Sequence, residues 1–171
     1  PSHFNLGLCY SKAGKVDDAA KEYARALELD PTLIDARYNL ALLDAKTNKV
    51  DQAIKGFEKI LETKTDDVPS LYNLGILYAK SKKVDQAIDV FKKVIALDPQ
   101  NVDALDNLAM LYEGKGMFDD AIAQYQAILA LPNLASADVV QMNLGQLYVK
   151  KGDIAAAKEA FKKASDANPK N

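Results

Sequence analysis

The sequence predicts an all-α protein built as an array of helical hairpins, and three observations predict it. The triplet Asn5-Leu6-Gly7 returns as Asn39-Leu40-Ala41, Asn73-Leu74-Gly75 and Asn107-Leu108-Ala109, each 34 residues after the last; Asn143-Leu144-Gly145 follows after 36. Ala19, Ala53, Ala87, Ala121 and Ala157 recur in step, each with an aromatic four residues on: Tyr23, Phe57, Phe91, Tyr125 and Phe161. The stretch Lys49-Val50-Asp51-Gln52-Ala53-Ile54 recurs residue for residue as Lys83-Val84-Asp85-Gln86-Ala87-Ile88. A period of this length marks stacked supersecondary units.

Within each unit the elements follow from local chemistry. Leu6, Tyr10 and the residues around Cys9 share one face of a first helix at three- and four-residue spacing. Gly14, Asn48, Gly116 and Gly152 then stand where a left-handed cap ends a helix. Asp17, Asp51, Asp85 and Asp119 fall in the first turn of a second helix, where the dipole favours them. Gly7 and Ala19 are expected where paired helices approach closely, and Tyr23 and its counterparts in the gap between one hairpin and the next. Pro31, Pro99 and Pro169 close three units. Five repeats result, at about 1–33, 34–67, 68–101, 102–135 and 138–171, in a single array spanning 1–171. One hairpin cannot bury its own apolar face, so stability must come from stacked neighbours.

The period, the Leu-Gly-x-x-Tyr start with Tyr10, Tyr78, Tyr112 and Tyr148, the mid-repeat Ala, the following aromatic and the closing Pro together resemble the tetratricopeptide repeat family. The resemblance covers essentially the whole chain and implies an all-α solenoid, a right-handed superhelical array of five helix-turn-helix repeats. Three departures stand out. The Trp that often opens such repeats is replaced by His3, Arg37, Leu71, Leu105 and Gln141. Asp44 puts a charge where the other repeats carry Tyr, and two extra residues enter after Pro132, before Val139.

Composition narrows the function. Twenty-two Lys and Arg against 24 Asp and Glu leave a net charge of −2, a poor match for a protein that neutralises many phosphates. No apolar run approaches the ~18 residues that span a bilayer. Cys9 is the only cysteine, so an internal disulfide is impossible and the redox compartment stays open. The chain opens at Pro1-Ser2-His3 without an initiator Met, as an excerpt does. The single His3 and the single Cys9, read as a helix-surface histidine and a small packed thiol, are too few for a zinc site. Neither a phosphate loop nor a nucleophile elbow is present. No metal, no cofactor and no catalysis are expected.

In arrays of this family the first helices line a concave groove, and the resemblance places a row of side chains there. Asn5, Asn39, Asn73, Asn107 and Asn143 form one line, similar to the asparagine ladder in the repeat superhelix of O-linked N-acetylglucosamine transferase. A turn later come Leu8, Leu42, Ile76, Met110 and Gln146; beside them lie Phe4, Tyr38, Tyr72, Asp106 and Met142, and Lys12, Lys46, Lys80 and Lys150 form a rim. A side-chain amide offers both a donor and an acceptor to an extended peptide backbone. It can equally bond across to the adjacent hairpin, and Lys at a helix C-terminus is favoured by the dipole alone. The Lys of a two-carboxylate clamp is replaced here by Phe4, Tyr38 and Tyr72. A protein or peptide partner is therefore expected in the groove, with no nucleic acid and no membrane insertion. The alternatives are a scaffold that self-associates through exposed array ends, including Ala160 and Ala164 of the last helix, and the regulatory arm of a larger protein.

Overall fold

A computed structural model of the chain describes residues 2–132 and 134–167. Pro169 lies outside the described residues. Those residues form ten α-helices and no strand: α1 Ser2–Lys12, α2 Val16–Leu29, α3 Ile34–Lys46, α4 Val50–Leu61, α5 Val68–Lys80, α6 Val84–Leu97, α7 Val102–Gly114, α8 Phe118–Leu129, α9 Ala137–Lys151 and α10 Ile154–Ala167. They gather into two compact units, residues 1–90 and 91–171. In the first unit α1 packs on α2, α2 on α3, α3 on α4 and α4 on α5. In the second, α7 packs on α8, α8 on α9 and α9 on α10.

One turn, used five times, reverses the chain inside each hairpin. Gly14, Asn48, Lys82, Gly116 and Gly152 all have positive φ, between 58° and 88°. The next residue's amide reaches back to close the helix end: Lys15 to Tyr10, Lys49 to Asp44, Lys83 to Tyr78, Met117 to Tyr112 and Asp153 to Tyr148, all at 2.8–2.9 Å. The amide of the left-handed residue itself donates to the carbonyl three positions earlier, as from Gly14 to Ser11 and from Lys82 to Ala79. This is the paired Schellman closure, which satisfies carbonyls that a helix end leaves orphaned. Lys82 is the member that a search for Gly and Asn overlooks. Side chains cap the starts of α5, α7 and α10. Asp67 accepts from Ser70 N (3.1 Å), Asn101 from Ala104 N (3.0 Å) and Asp153 from Ala156 N (3.0 Å).

Small residues and aromatic rings then interlock. Ala19, Ala53, Ala87 and Ala121 are wholly buried, as are Tyr23, Phe57 and Phe91. A Cβ added to Gly7 would stand 2.6 Å from the Tyr23 ring, and one added to Gly145 would stand 2.5 Å from Phe161. The aromatic therefore packs against its own hairpin as well as the next, where Tyr23 meets Leu43 and Leu40. The second hairpin exchanges the roles. α3 carries Ala41 in place of Gly, and α4 carries Gly56, whose added Cβ would lie 2.8 Å from the Ala41 Cβ.

Several expectations are corrected. Leu74, Leu108 and Leu144 of the repeated triplet are buried, yet Leu6 is 41% exposed. Leu40 packs on the Tyr23 cluster of the helix before it, and α1 has no such helix among the described residues. Ala160 and Ala164 are buried, at 4% and 5% exposure, because they face the core of the last hairpin and not solvent. Cys9 is exposed instead of packed.

Asp44, the charge in a Tyr position, is buried, and its compensation repeats a pattern. Lys15 and Lys83 place their ammonium groups 5.7 Å from the Tyr10 and Tyr78 ring centres. Lys49, at the same offset, stands 3.9 Å from the Asp44 carboxylate. Burial pushes the Asp44 carboxyl above the ordinary carboxylate range, and Lys49 pulls it only partly back.

Two tests follow from these features. Lys82→Gly relieves a left-handed residue that costs ~1–2 kcal/mol, offset by the greater chain entropy that Gly loses, ~0.5–1 kcal/mol. A net gain of about 0.5–1 kcal/mol in thermal melting is expected, whereas Gly116→Ala, which introduces the same strain, lowers stability by about as much. Equal effects of the two changes would contradict the shared turn. For Asp44, a folded-state pKa raised above the unfolded value means that ionisation opposes folding as pH rises through it. Asp44→Asn is thus expected to melt higher than the parent at neutral pH, with the difference vanishing in acid where both states hold the proton. A pH-independent difference would assign the effect to packing.

Candidate binding groove

In the first unit Asn5, Asn39 and Asn73 occupy equivalent places on α1, α3 and α5. Each half-buried amide of the latter two is anchored to its own helix, with Asn39 Nδ2 donating to Asp35 O and Asn73 Nδ2 to Pro69 O, both at 2.8 Å. An Asn in a helix interior costs roughly half a kcal/mol relative to Ala, and this bond one turn back fixes its side chain against the cylinder. Asn73 Nδ2 also donates across to the Tyr38 hydroxyl of α3, at 3.2 Å. The Tyr38 ring stands edge-on to Phe57, 5.6 Å away at 74°. Burial pushes its hydroxyl pKa up, and the Asn73 bond opposes that shift.

Tyr72, Leu42 and Ile76 are half-buried beside this pair, and Lys12, Lys46 and Lys80 are exposed in the last turns of α1, α3 and α5. Phe4 and Leu8 instead pack on the core around Tyr23, with the Phe4 and Tyr23 ring centres 5.9 Å apart.

The second unit brings a different set together. Asn107 Nδ2 donates to Asp103 O at 2.7 Å. Asn143 bonds to the Tyr125 hydroxyl, which in turn bonds to the Asp106 carboxylate. These groups share a recess of about 210 Å³ with Met110, Glu113 and Gln146. Burial, with the charges of Asp106 and Glu113, pushes Tyr125 up to about 12. Burial likewise pushes the Asp106 carboxyl up, against its bond from Tyr125. Lys150 pairs with Glu113 across α9 and α7, and Met110 is 59% exposed. The acidic character of this recess was legible: Asp106, Met110 and Glu113 fall at i, i+4 and i+7 on one helix face. Tyr125 gave no such signal, since its repeat position marks it as a core ring.

Chemistry elsewhere is sparse among the described residues. They contain no group of three or more His, Cys, Asp or Glu placed to hold a metal ion. His3 Nδ1 lies 2.6 Å from Glu22 Oε2, an ion pair when the ring is protonated. None of their helices is long and apolar enough to cross a membrane.

Successive helical hairpins, each closed by one recurrent turn, with a row of polar and aromatic side chains on the first helices, define a helical-repeat protein. The chain belongs to the tetratricopeptide repeat family: repeat profiles match residues 10–75, 68–101, 90–123 and 140–171. No curated protein sequence matches it. Among solved structures, a crystal structure of MamA is 25% identical, covering 96% of this chain and 95% of that one, with a TM-score of 0.86. MamA from Desulfovibrio magneticus RS-1 is 20% identical over 98% of this chain and 93% of its own, TM-score 0.83. YrrB, described as a TPR protein with an unusual peptide-binding site, is 24% identical over 99% and 86%, TM-score 0.82.

Proposed function

We propose that the chain is a non-catalytic protein-interaction module that holds an extended peptide segment of a partner along the first-helix face. In the first unit Asn5, Asn39 and Asn73 would grip the peptide backbone, Tyr38, Tyr72, Leu42 and Ile76 would form the wall that selects side chains, and Lys12, Lys46 and Lys80 would form the rim. In the second unit Asn107, Asn143, Met110 and Lys150 would play the same parts. The observation that carries this reading is the Asn73 amide, anchored to Pro69 O and linked to the Tyr38 hydroxyl. It is a pre-oriented polar group beside an aromatic one on a half-buried face, so little rotamer entropy remains to be lost on binding. Neighbouring equivalent helices spaced ~10 Å apart would meet an extended chain about every third residue, at ~3.3 Å per residue. The fold shared with YrrB, and its described peptide-binding site, support a peptide as the ligand class. A net charge of −2 favours protein over nucleic acid.

Binding to a peptide array is the test. Each amide bond is worth a net ~0.5–1.5 kcal/mol, so Asn39→Ala with Asn73→Ala is expected to weaken many peptides together by about tenfold. Tyr72→Ala is expected to change which peptides bind. A folded double Asn variant that keeps every peptide at parental affinity would make the row structural.

A second reading, self-association, is favoured by one observation. Val139, Met142 and Val149 on α9 are all exposed and fall on one side of that helix, an apolar stripe of the kind that marks contact surfaces. Under it, Met142→Lys with Val149→Lys abolishes concentration-dependent growth in light-scattering mass, and a parent that stays monomeric at high concentration removes it.

A further inference from the structure

A groove of about 660 Å³ lies in the first unit on the side of α3 away from Asn39. At 3.6 residues per turn, Arg37, Leu40, Ala41 and Asp44 occupy the opposite side of that helix from Tyr38, Asn39 and Leu42. α2 forms one wall and α4 the other, each over two turns: Ala20, Ala24 and Leu27 on α2; Gln52, Gly56 and Lys59 on α4.

The groove exists because side chains present in the other repeats are missing here. Ala20 stands where Ile54, Ile88 and Ile122 stand, and Ala24 where Glu58, Lys92 and Gln126 stand. Gly56 has a packing reason in the nearness of Ala41, and Ala20 packs on the Tyr23 cluster, while Ala24 lies partly buried at the groove. The edge is basic. Lys21, Arg37, Lys49, Lys55 and Lys59 line it against a single carboxyl, Asp44. Asp44 is buried beneath Lys49, 3.9 Å from its ammonium group, so its charge is engaged by that one cation. Arg37 is braced by its bond to Pro31 O (2.6 Å) and Lys59 by Glu62 (2.5 Å).

We propose that this groove is a second docking site, distinct from the asparagine row, for an acidic amphipathic helix of a partner protein. Three elements argue for a helix with carboxylates. The apolar lining is mostly small, with Ala20, Ala24, Ala41 and Gly56 beside Leu27 and Leu40, which lets a helix approach closely. All three helices, α2, α3 and α4, present residues at i, i+3 or i+4, and i+7, the same two-turn stretch that one face of a docked helix offers in return. The cations stand at the edges, where carboxylates flanking an aliphatic stripe would meet them and gain charge-assisted hydrogen bonds.

The test uses the whole chain and a fluorescein-labelled amphipathic peptide of glutamate and leucine, with its lysine-for-glutamate counterpart, phosphatidylglycerol vesicles and a single-stranded oligonucleotide as alternatives. Binding of the glutamate peptide alone is expected. Lys21→Glu with Lys55→Glu, and separately Ala24→Gln, which restores the longer side chain seen at Gln126, should each weaken it by about tenfold or more with melting unchanged. Asn39→Ala with Asn73→Ala should leave it untouched, which separates failure of this site from failure of the first. Equal binding of the lysine peptide, unchanged affinity in both groove variants, or no binding to the parent would overturn the proposal. Tighter binding to vesicles or oligonucleotide than to the peptide would also overturn it, assigning the cations to phosphate.

Discussion

Everything else in this fold hangs on the closure of the first helix of each hairpin by a residue in the left-handed region. The returning amide, five times at 2.8–2.9 Å, fixes where the second helix starts relative to the first. Only with that start fixed does a small residue at position 7 or 145 arrive under the ring at 23 or 161 with no room for a methyl group. Helix propensity alone supplies none of this, since helices of 11 to 15 residues are marginal in isolation. The turn sets the geometry, and the interlock of ring and glycine makes it favourable.

The same repeated frame carries different chemistry at equivalent places, and that is how a repetitive core acquires distinct surfaces. The position beside the asparagine holds Tyr38 in the first unit and Asp106 in the second. One gives an aromatic wall cross-linked to Asn73, the other an acidic recess tied to Tyr125 and Asn143. On the opposite side of α3, a groove opens beside Ala20 and Ala24, where other repeats carry Ile and Glu, Lys or Gln. Variation at the surface is cheap here because the buried alanine and aromatic of each repeat stay fixed.

Much of the architecture was legible in the sequence, because the repeat writes each structural role several times. The left-handed cap at Gly14, Asn48, Gly116 and Gly152 could be read from residue type. Lys82 could be read only from register, 34 residues after Asn48. The misreadings lie at the two ends and have opposite causes. Leu6 and Cys9 belong to the first hairpin, where α1 has no preceding helix among the described residues to cover it, whereas Ala160 and Ala164 pack into the core of the last hairpin. Asp44 looked like an irregularity in the pattern, but its compensation sits five residues on, at Lys49, where the first and third hairpins place a lysine over a ring. The groove on α2 and α4 was illegible for another reason: it is made by what is absent, and a pattern of matches draws the eye to what recurs.

The packing order has a kinetic side. The helices in extensive contact are neighbours in the chain, α1 with α2 through to α4 with α5, and α7 with α8 through to α9 with α10. Contacts so local close only short loops, and each loop-closure penalty is recovered almost at once. Such a chain has no need to wait for its two ends to meet. Any hairpin that forms is a template for the next, so folding can begin at several places and spread, and a nascent segment emerging from synthesis already holds the partners it requires.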